Sequence, residues 1–291
     1  MEDNNNNKDI LNIEKKILKH NSEIFDTISH YTKISVSQIK EFLKTPFDKE
    51  AKSAEMVRKY YNNPSNKYYH MSQQDILDMW ARKANESTNN GSLVDDYIGL
   101  IYNNASDEEK EMFKLDHTNE KLDHKFKGID IVLNDLKNNG YQFFSREKGL
   151  YMPVKYNDNI YMFSGRYDAF WLKPCTLEEK KIFDSDYILT IVDWKNSDNI
   201  QTNNKYGNKL LGPCQKMDDC DMNLFTIQLY LYIYMLKHEY NLNIPMTCCI
   251  IDFPSEVDCF FKIFKPNFKY DEKLISNIIN FSIKKKILMS K

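Results

Sequence analysis

An apolar run that ends in a carboxylate and an ammonium group constrains the fold most. Residues 188–192 are apolar except for Thr190, and Asp193, Trp194 and Lys195 follow directly. A run of this kind predicts a central strand that is buried on both faces. Because side chains alternate along a strand, we expect Asp193 and Lys195 on one face and Trp194 on the other.

The first half of the chain has the apolar spacing of helices. Apolar residues recur at helical intervals up to about residue 136, and Asn89-Asn90-Gly91 predicts a break between two of these helices. Ser35 or Ser37 is placed to begin a short helix, and Ser72 with Asp75 resembles a capping box. These signals predict a helical N-terminal half.

The second half has the pattern of a sheet with two helices. After Asn138-Asn139-Gly140, the residues that predict a mostly antiparallel set of strands are 141–147, 151–155, 160–172 and 186–195. The later elements that we predict are a helix over 223–240, strands over 246–253 and 257–264, and a helix over 270–286. The order predicts an α+β fold, an α/β sandwich in which the helical half packs on a central mixed sheet.

The overall charge excludes nucleic-acid binding through a surface that is basic throughout. Forty Lys and Arg residues face 42 Asp and Glu residues, which gives a formal net charge of −2. A nucleic acid would therefore have to bind in a local basic groove. No apolar run approaches the length of a membrane span, and the acidic, Asn-rich N-terminus is unlike a signal peptide. We expect an intracellular protein that is not secreted and has no membrane partner.

Three carboxylates near the predicted strand ends suggest a metal site. Asp168 lies inside the predicted strand 160–172, and Glu147 ends the strand that precedes it. A carboxylate at the end of a buried strand is costly unless a cation compensates for its charge. A divalent cation such as Mg²⁺ or Mn²⁺, held by Asp168 and Asp193 with help from Glu147, would do so. The alternative interpretation is an exposed ion pair at Asp193 and Lys195 and an ordinary turn at Glu147.

Separate segments of the chain together resemble one nuclease family. They are Glu147, Gly165-Arg166-Tyr167-Asp168, Asp193-Trp194-Lys195 and Gln228-Leu229-Tyr230-Leu231-Tyr232. Their order resembles the RecB-type branch of the PD-(D/E)XK nuclease superfamily. The Asp-Trp-Lys form is similar to mitochondrial genome-maintenance exonucleases and to uncharacterised nucleases of large DNA viruses. Upstream, residues 35–39 and 67–76 extend the resemblance, which spans roughly residues 31–265.

The resemblance implies a fold, an activity and residue roles. The fold would be a restriction-endonuclease-like core, and the activity Mg²⁺- or Mn²⁺-dependent hydrolysis of DNA. Asp168 and Asp193 would hold the metal, helped by Glu147 and the Trp194 carbonyl, and Lys195 would activate or position the attacking water. The residues that would support the site or contact DNA are Gln228, Tyr232 and Arg166.

Two departures from the family pattern affect these expectations. Where the family has a histidine that can contact the metal, this chain has Asp95, which is either a further ligand or a solvated helix residue. No cysteine precedes Cys175. Family members with an iron–sulfur cluster use one early cysteine, so we expect no cluster.

We therefore expect a metal-dependent deoxyribonuclease, with an N-terminal arm or helix over residues 1–30 and a single nuclease domain over 31–291. Within that domain, residues 31–140 would be the helical part and 141–291 the sheet core. The expected substrate is DNA ends or single strands in replication, repair or recombination, where replication or repair proteins would be partners. The alternative is a catalytically weak nucleic-acid-binding subunit, and RNA cleavage is a third reading. Nucleus, cytoplasm and viral factory all stay open as compartments.

Overall fold

The computed structural model describes residues 3–117, 119–197, 199–255 and 259–290, and these residues form an α+β fold. The helices of the first half are α1 (Asp3–Phe25), α2 (Val36–Leu43), α3 (Lys49–Tyr60), α4 (Gln73–Tyr102), α5 (Asp107–Asp116) and α6 (Glu120–Asn138). The later helices are α7 (Leu177–Phe183), α8 (Asp221–His238) and α9 (Glu272–Met289). The predicted fold class, with a helical first half packed on a mixed sheet, is confirmed.

Two mixed sheets form the β part of the described chain. The strands are β1 (Thr32–Ser35), β2 (Gln142–Arg146), β3 (Gly149–Tyr156), β4 (Asn159–Arg166), β5 (Ala169–Pro174), β6 (Tyr187–Lys195), β7 (Met246–Asp252) and β8 (Lys262–Phe264). The larger sheet has the order β2-β5-β6-β7-β8, and the smaller has β1-β4-β3. In the larger sheet β6 and β7 are parallel, whereas its other neighbouring strands are antiparallel. The apolar strand β6 is thus central, as the sequence predicts.

Helices cover both faces of β6. Leu189 and Ile191 lie in the core that includes the apolar residues of α8. Val192 and Trp194 lie in a second core with residues of α4 and α6. This alternation follows from the two-residue period of a strand, and it directs Asp193 towards α8.

The predicted strand 160–172 is wrong because the chain changes sheets at Tyr167 and Asp168. Residues up to Arg166 pair with β1 and β3, whereas those from Ala169 pair with β2 and β6. The Tyr167 ring is buried and stacks on Phe170 at 3.5 Å between centroids. Asp168 therefore lies between two strands and not inside one.

The predicted helix break at Asn89-Asn90-Gly91 is also wrong, because α4 runs through it. Ser72 and Asp75 form the predicted capping box at its start, and Ser35 caps α2 in the same way with Gln38. A glycine inside a helix costs about 1 kcal/mol relative to alanine. Burial of Val94, Tyr97 and Ile98 on α6 offsets that cost.

Of the predicted strand 257–264, only Lys262–Phe264 is a strand, and residues 257 and 258 lie outside the described part of the chain. The helix predicted over 223–240 is α8, two residues earlier at each end. No helix among the described residues combines the length and the apolar character needed to cross a bilayer.

Candidate active site

Asp193 lies at the end of β6 and is held by two partners of different charge. The residue is only 1% exposed. Its Oδ1 atom accepts a hydrogen bond from Gln228 Nε2 at 2.9 Å. Its Oδ2 atom lies 2.6 Å from Lys195 Nζ, but among the described residues it accepts no hydrogen bond of ordinary geometry. One buried carboxylate oxygen is thus in contact with a cation and still has capacity for another ligand.

Asp168 is adjacent to Asp193 because β5 begins beside the end of β6. Ala169 pairs with Val192, so the residue before Ala169 lies next to the residue after Val192. Asp168 Oδ2 accepts a hydrogen bond from the Trp194 backbone N–H at 2.8 Å. Burial, and then the negative charge of Asp193, raise the pKa of Asp168 well above its usual range. The two carboxylates are therefore forced together at a cost to the free energy of folding.

Lys195 is the cation in contact with this pair. Burial opposes its charge, but the carboxylates of Asp193 and Asp168 outweigh burial and raise the pKa of Lys195. Its ammonium group also donates a hydrogen bond of 3.2 Å to the Trp194 carbonyl, the oxygen that the family resemblance assigns to the metal. Lys195 is thus a protonated side chain that orients and neutralises charge, and it is not a base in this state.

Helix α8 supports the carboxylates through Gln228 and Tyr232, which are four residues apart on one helix face. Gln228 Nε2 also lies 3.4 Å from the Tyr232 hydroxyl, which donates to the Arg166 carbonyl at 2.8 Å. A Cβ atom on Gly165 would come within 2.5 Å of the Tyr232 ring. Glycine at this position therefore lets the ring pack against β4. The Arg166 side chain is exposed, and only its backbone has a partner in this network.

Glu147 lies in the turn between β2 and β3, beside the site but apart from the carboxylate pair. Its backbone is in the left-handed region, with φ of 49°, which is uncommon for a residue other than glycine. Its N–H donates to the Asp168 carbonyl at 3.3 Å. Its carboxylate pairs instead with Arg146, at 2.9 Å from Nη2.

Asp95 is on the exposed surface of α4. Partial desolvation of its carboxylate, and then the charge of Glu147, raise the pKa of Asp95, whereas Lys195 and Arg146 lower it. Arg146 Nη2 donates to the Asp95 carbonyl at 3.2 Å. Asp95 and Glu147 thus lie within electrostatic reach of each other, on either side of Arg146.

The structure therefore brings some of the predicted residues together and leaves others at the edge. The residues in mutual contact are Asp168, Trp194, Asp193, Lys195, Gln228 and Tyr232. Glu147, Asp95 and the Arg166 side chain do not join the carboxylate pair. Within the described ranges, no group of three or more His, Cys, Asp or Glu side chains is arranged to hold a metal ion.

Two residues near the site were not predicted from the sequence. Lys40 Nζ on α2 donates to Gln228 Oε1 at 2.5 Å. The Phe225 ring on α8 is near two ammonium groups, with its centre 4.8 Å from Lys195 Nζ and 5.6 Å from Lys40 Nζ. Lys40 follows the buried Val36 by four residues, and this helical spacing is the one signal that could have indicated that it faces inwards.

Comparisons with known proteins return solved structures of low similarity. No family model matches the sequence, and no curated protein matches it. The structure named SSO0001 is 11% identical, with a TM-score of 0.35, and the match covers 94% of this chain and 85% of that one. A "putative exonuclease" from Eubacterium rectale is 11% identical, with a TM-score of 0.40, and the match covers 92% and 84%. Similarity at this level does not identify a function, so the residues of the site must decide it.

Proposed function

We propose that this chain is a metal-dependent deoxyribonuclease that hydrolyses phosphodiester bonds at DNA ends or in single strands. The observation that carries the proposal is the adjacent pair Asp168 and Asp193, with Lys195 in contact, at the end of a buried central strand. Two carboxylates forced together are costly in an apo protein, whereas a hard divalent cation binds between such groups.

The donor set fits a small divalent cation. Asp193 Oδ2 lies beside the Lys195 ammonium and accepts no hydrogen bond of ordinary geometry from the described residues. Burial, and then the charge of Asp193, raise the pKa of Asp168. Mg²⁺ is commonly held by one or two carboxylates together with water and substrate phosphate, and does not require a cage of protein ligands. Asp168 and Asp193 would hold the ion, which when bound polarises the phosphodiester and lowers the pKa of water.

The protein's own side chains fix the carboxylates and stabilise charge. The Trp194 N–H holds Asp168, and Gln228 holds Asp193, so neither carboxylate needs to reorient. The protonated Lys195 lies where it would neutralise negative charge that builds up on the phosphate and would orient the attacking water. Hydrolysis would proceed in line, without a covalent intermediate.

Glu147 and Asp95 are the outer carboxylates of this proposal. The left-handed backbone of Glu147 is the kind of local strain that is found at functional sites. Arg146 would have to release Glu147 before that carboxylate could reach the metal. A second carboxylate at Asp95, near Glu147, would favour such a change once a cation is present.

One observation favours a second function. The described residues contain no three-ligand cluster, and Glu147 is paired with Arg146. A chain with an incomplete metal site could serve as a nucleic-acid-binding subunit in replication, repair or recombination without cutting.

The experiment that separates these functions is a cleavage assay on a gel. End-labelled linear and circular DNA, single- and double-stranded, and a matched RNA would be incubated with the protein and Mg²⁺, Mn²⁺ or EDTA. The proposal predicts metal-dependent loss of linear DNA that spares circles and is abolished in Lys195→Ala. Cleavage of circles would indicate an endonuclease. A retained mobility shift without cleavage in either metal would support the binding subunit.

A further inference from the structure

Lys40 is a lysine of the site that is held by a neutral group. Its ammonium donates to the amide oxygen of Gln228, whose amide nitrogen donates to Asp193. The side chain is half-buried. Within the described part of the chain, Lys40 forms no ion pair, in contrast to Lys44 one turn later, which pairs with Glu41 at 2.7 Å.

The charge of Lys40 is therefore not compensated locally. Burial and the nearby Lys195 ammonium lower the pKa of Lys40 more than Asp193 raises it. A half-buried cation that is held by an amide and repelled by a second cation is stabilised most when an anion joins it.

A pocket beside Lys40 has room for such an anion. It lies between α2 and the first turns of α8 and has a volume of about 300 Å³. Ser37, Gln38, Lys44 and Phe225 line it together with Lys40. Two carboxylates also line it, and each has a partner of its own: Glu41 pairs with Lys44, and Asp221 accepts a hydrogen bond from the Gln201 N–H at 3.1 Å. Phe225 is half-exposed, with ammonium groups 4.8 and 5.6 Å from its ring centre. A cation and an open aromatic ring side by side are the features that bind the phosphate and the base or sugar of one nucleotide.

We propose that this pocket, the Lys40 pocket, binds a backbone phosphate of the nucleic-acid strand next to the phosphate at Asp168 and Asp193. Lys40 contacts the phosphate, and Phe225 packs against the adjoining base or sugar. The inference rests on the proposed function, because it assumes a strand that passes the carboxylate pair. Gln228 contacts both Lys40 and Asp193, and so joins the two sites.

The competing explanation is that Lys40 only positions Gln228 by its hydrogen bond. Lys40→Gln separates the two, since it keeps a donor for Gln228 and removes the charge. Lys40→Arg keeps the charge. Lys181→Gln is the matched control, because Lys181 is exposed on α7, which joins β5 to β6 at the opposite end of the sheet from Asp193.

The test measures binding of a fluorescein-labelled oligothymidylate in EDTA, by anisotropy, over a series of KCl concentrations. Each phosphate contact contributes about 0.7 to the slope of log K against log salt for single strands. The proposal predicts that the slope for Lys40→Gln falls by about 0.7, while Lys40→Arg and Lys181→Gln keep the slope of the unmodified protein. A wild-type slope for Lys40→Gln overturns the proposal.

A second variant keeps the test decisive if Lys40→Gln does not fold, which thermal unfolding would show. Phe225→Ala should weaken binding at least about fivefold with an unchanged slope, because stacking is not ionic. Unchanged affinity would then overturn the proposal. If DNA is cleaved in a Lys195-dependent way but neither Lys40→Gln nor Phe225→Ala changes binding of the oligothymidylate, the Lys40 pocket is refuted and the nuclease proposal is not. A reduced slope without cleavage in any metal would refute the nuclease alone.

Discussion

Two clusters of a lysine with carboxylates differ in burial, one around Lys195 at the end of β6 and one around Lys114 between α5 and α6. Lys114 Nζ lies 2.9 Å from Glu111 and 3.1 Å from Asp130, and their side chains are 65% and 36% exposed. At the other place, Asp193 is 1% exposed. In the Lys114 cluster water completes the solvation of each charge, so the cluster has little influence beyond a small effect on stability.

The Lys195 cluster differs because it contains a buried excess of carboxylate. Among the described lysines, Lys195 pairs with Asp193, and burial and the charge of Asp193 raise the pKa of Asp168. Around Lys114, burial opposes the charge, but hydrogen bonds with Glu111, Tyr97 and Asp130 raise the pKa of Lys114. The two clusters contain the same residue types and differ in burial. Because solvent reaches the Lys114 cluster and is kept from Asp193, the Lys195 cluster is the one that keeps negative charge for binding a cation.

The largest expected difference between the clusters is in catalysis. Asp193→Asn should reduce metal-dependent cleavage of linear DNA at least about 100-fold, since loss of groups that merely support a metal ligand already costs 10- to 100-fold. Asp130→Asn should leave the rate unchanged. Equal rates for both variants, measured with end-labelled DNA, would break the comparison.

The next effect is on stability and has opposite signs at the two places. In EDTA, Asp168→Asn should raise the free energy of unfolding by about 1–3 kcal/mol, because it removes a poorly compensated, half-buried charge and keeps an acceptor for the Trp194 N–H. Asp130→Asn should lower it by at most about 1 kcal/mol. Urea denaturation of the three proteins measures both. A loss of stability in Asp168→Asn would show that its charge is compensated.

A smaller effect is on the pH dependence of stability. A carboxyl group whose pKa is raised in the folded state binds its proton there first, so acidification favours folding. The free energy of unfolding of the original protein should therefore lie below that of Asp168→Asn, and this difference should be greatest at pH values above the raised pKa of Asp168. It should shrink as the pH falls through that pKa. Other carboxyl groups titrate in both proteins, so the difference between the two denaturation series is the quantity to follow, and a constant difference would contradict the assignment.

The sequence predicted those parts of the site that depend on local periodicity. The apolar run before Asp193 predicted the central strand, and alternation predicted that Asp193 and Lys195 share a face. The four-residue spacing of Gln228 and Tyr232 predicted that they share a helix face, and both reach the same network in the structure.

The parts that could not be predicted depend on tertiary contacts. The change of sheets at Tyr167 is not marked by a glycine or proline at the turn itself, since Gly165 is still paired within β4, and the change is set by pairing of β4 and β5 with different partners. Lys40 has its partner Gln228 at a distance of 188 residues in sequence, so no local pattern indicates their contact. Arg146 contacts the Asp95 carbonyl on α4 and pairs with its neighbour Glu147, and this pairing competes with the expected role of Glu147 in metal binding.

Binding of Mn²⁺ to the DNA-free protein, followed by titration calorimetry, tests the central claim most directly. The claim is that Asp168 and Asp193 form a site whose excess negative charge a divalent cation compensates. Saturable binding to the original protein, weakened at least about tenfold in both Asp168→Asn and Asp193→Asn and unchanged in Asp130→Asn, is the predicted result. Absence of saturable binding, or equal affinity in all four proteins, would contradict it.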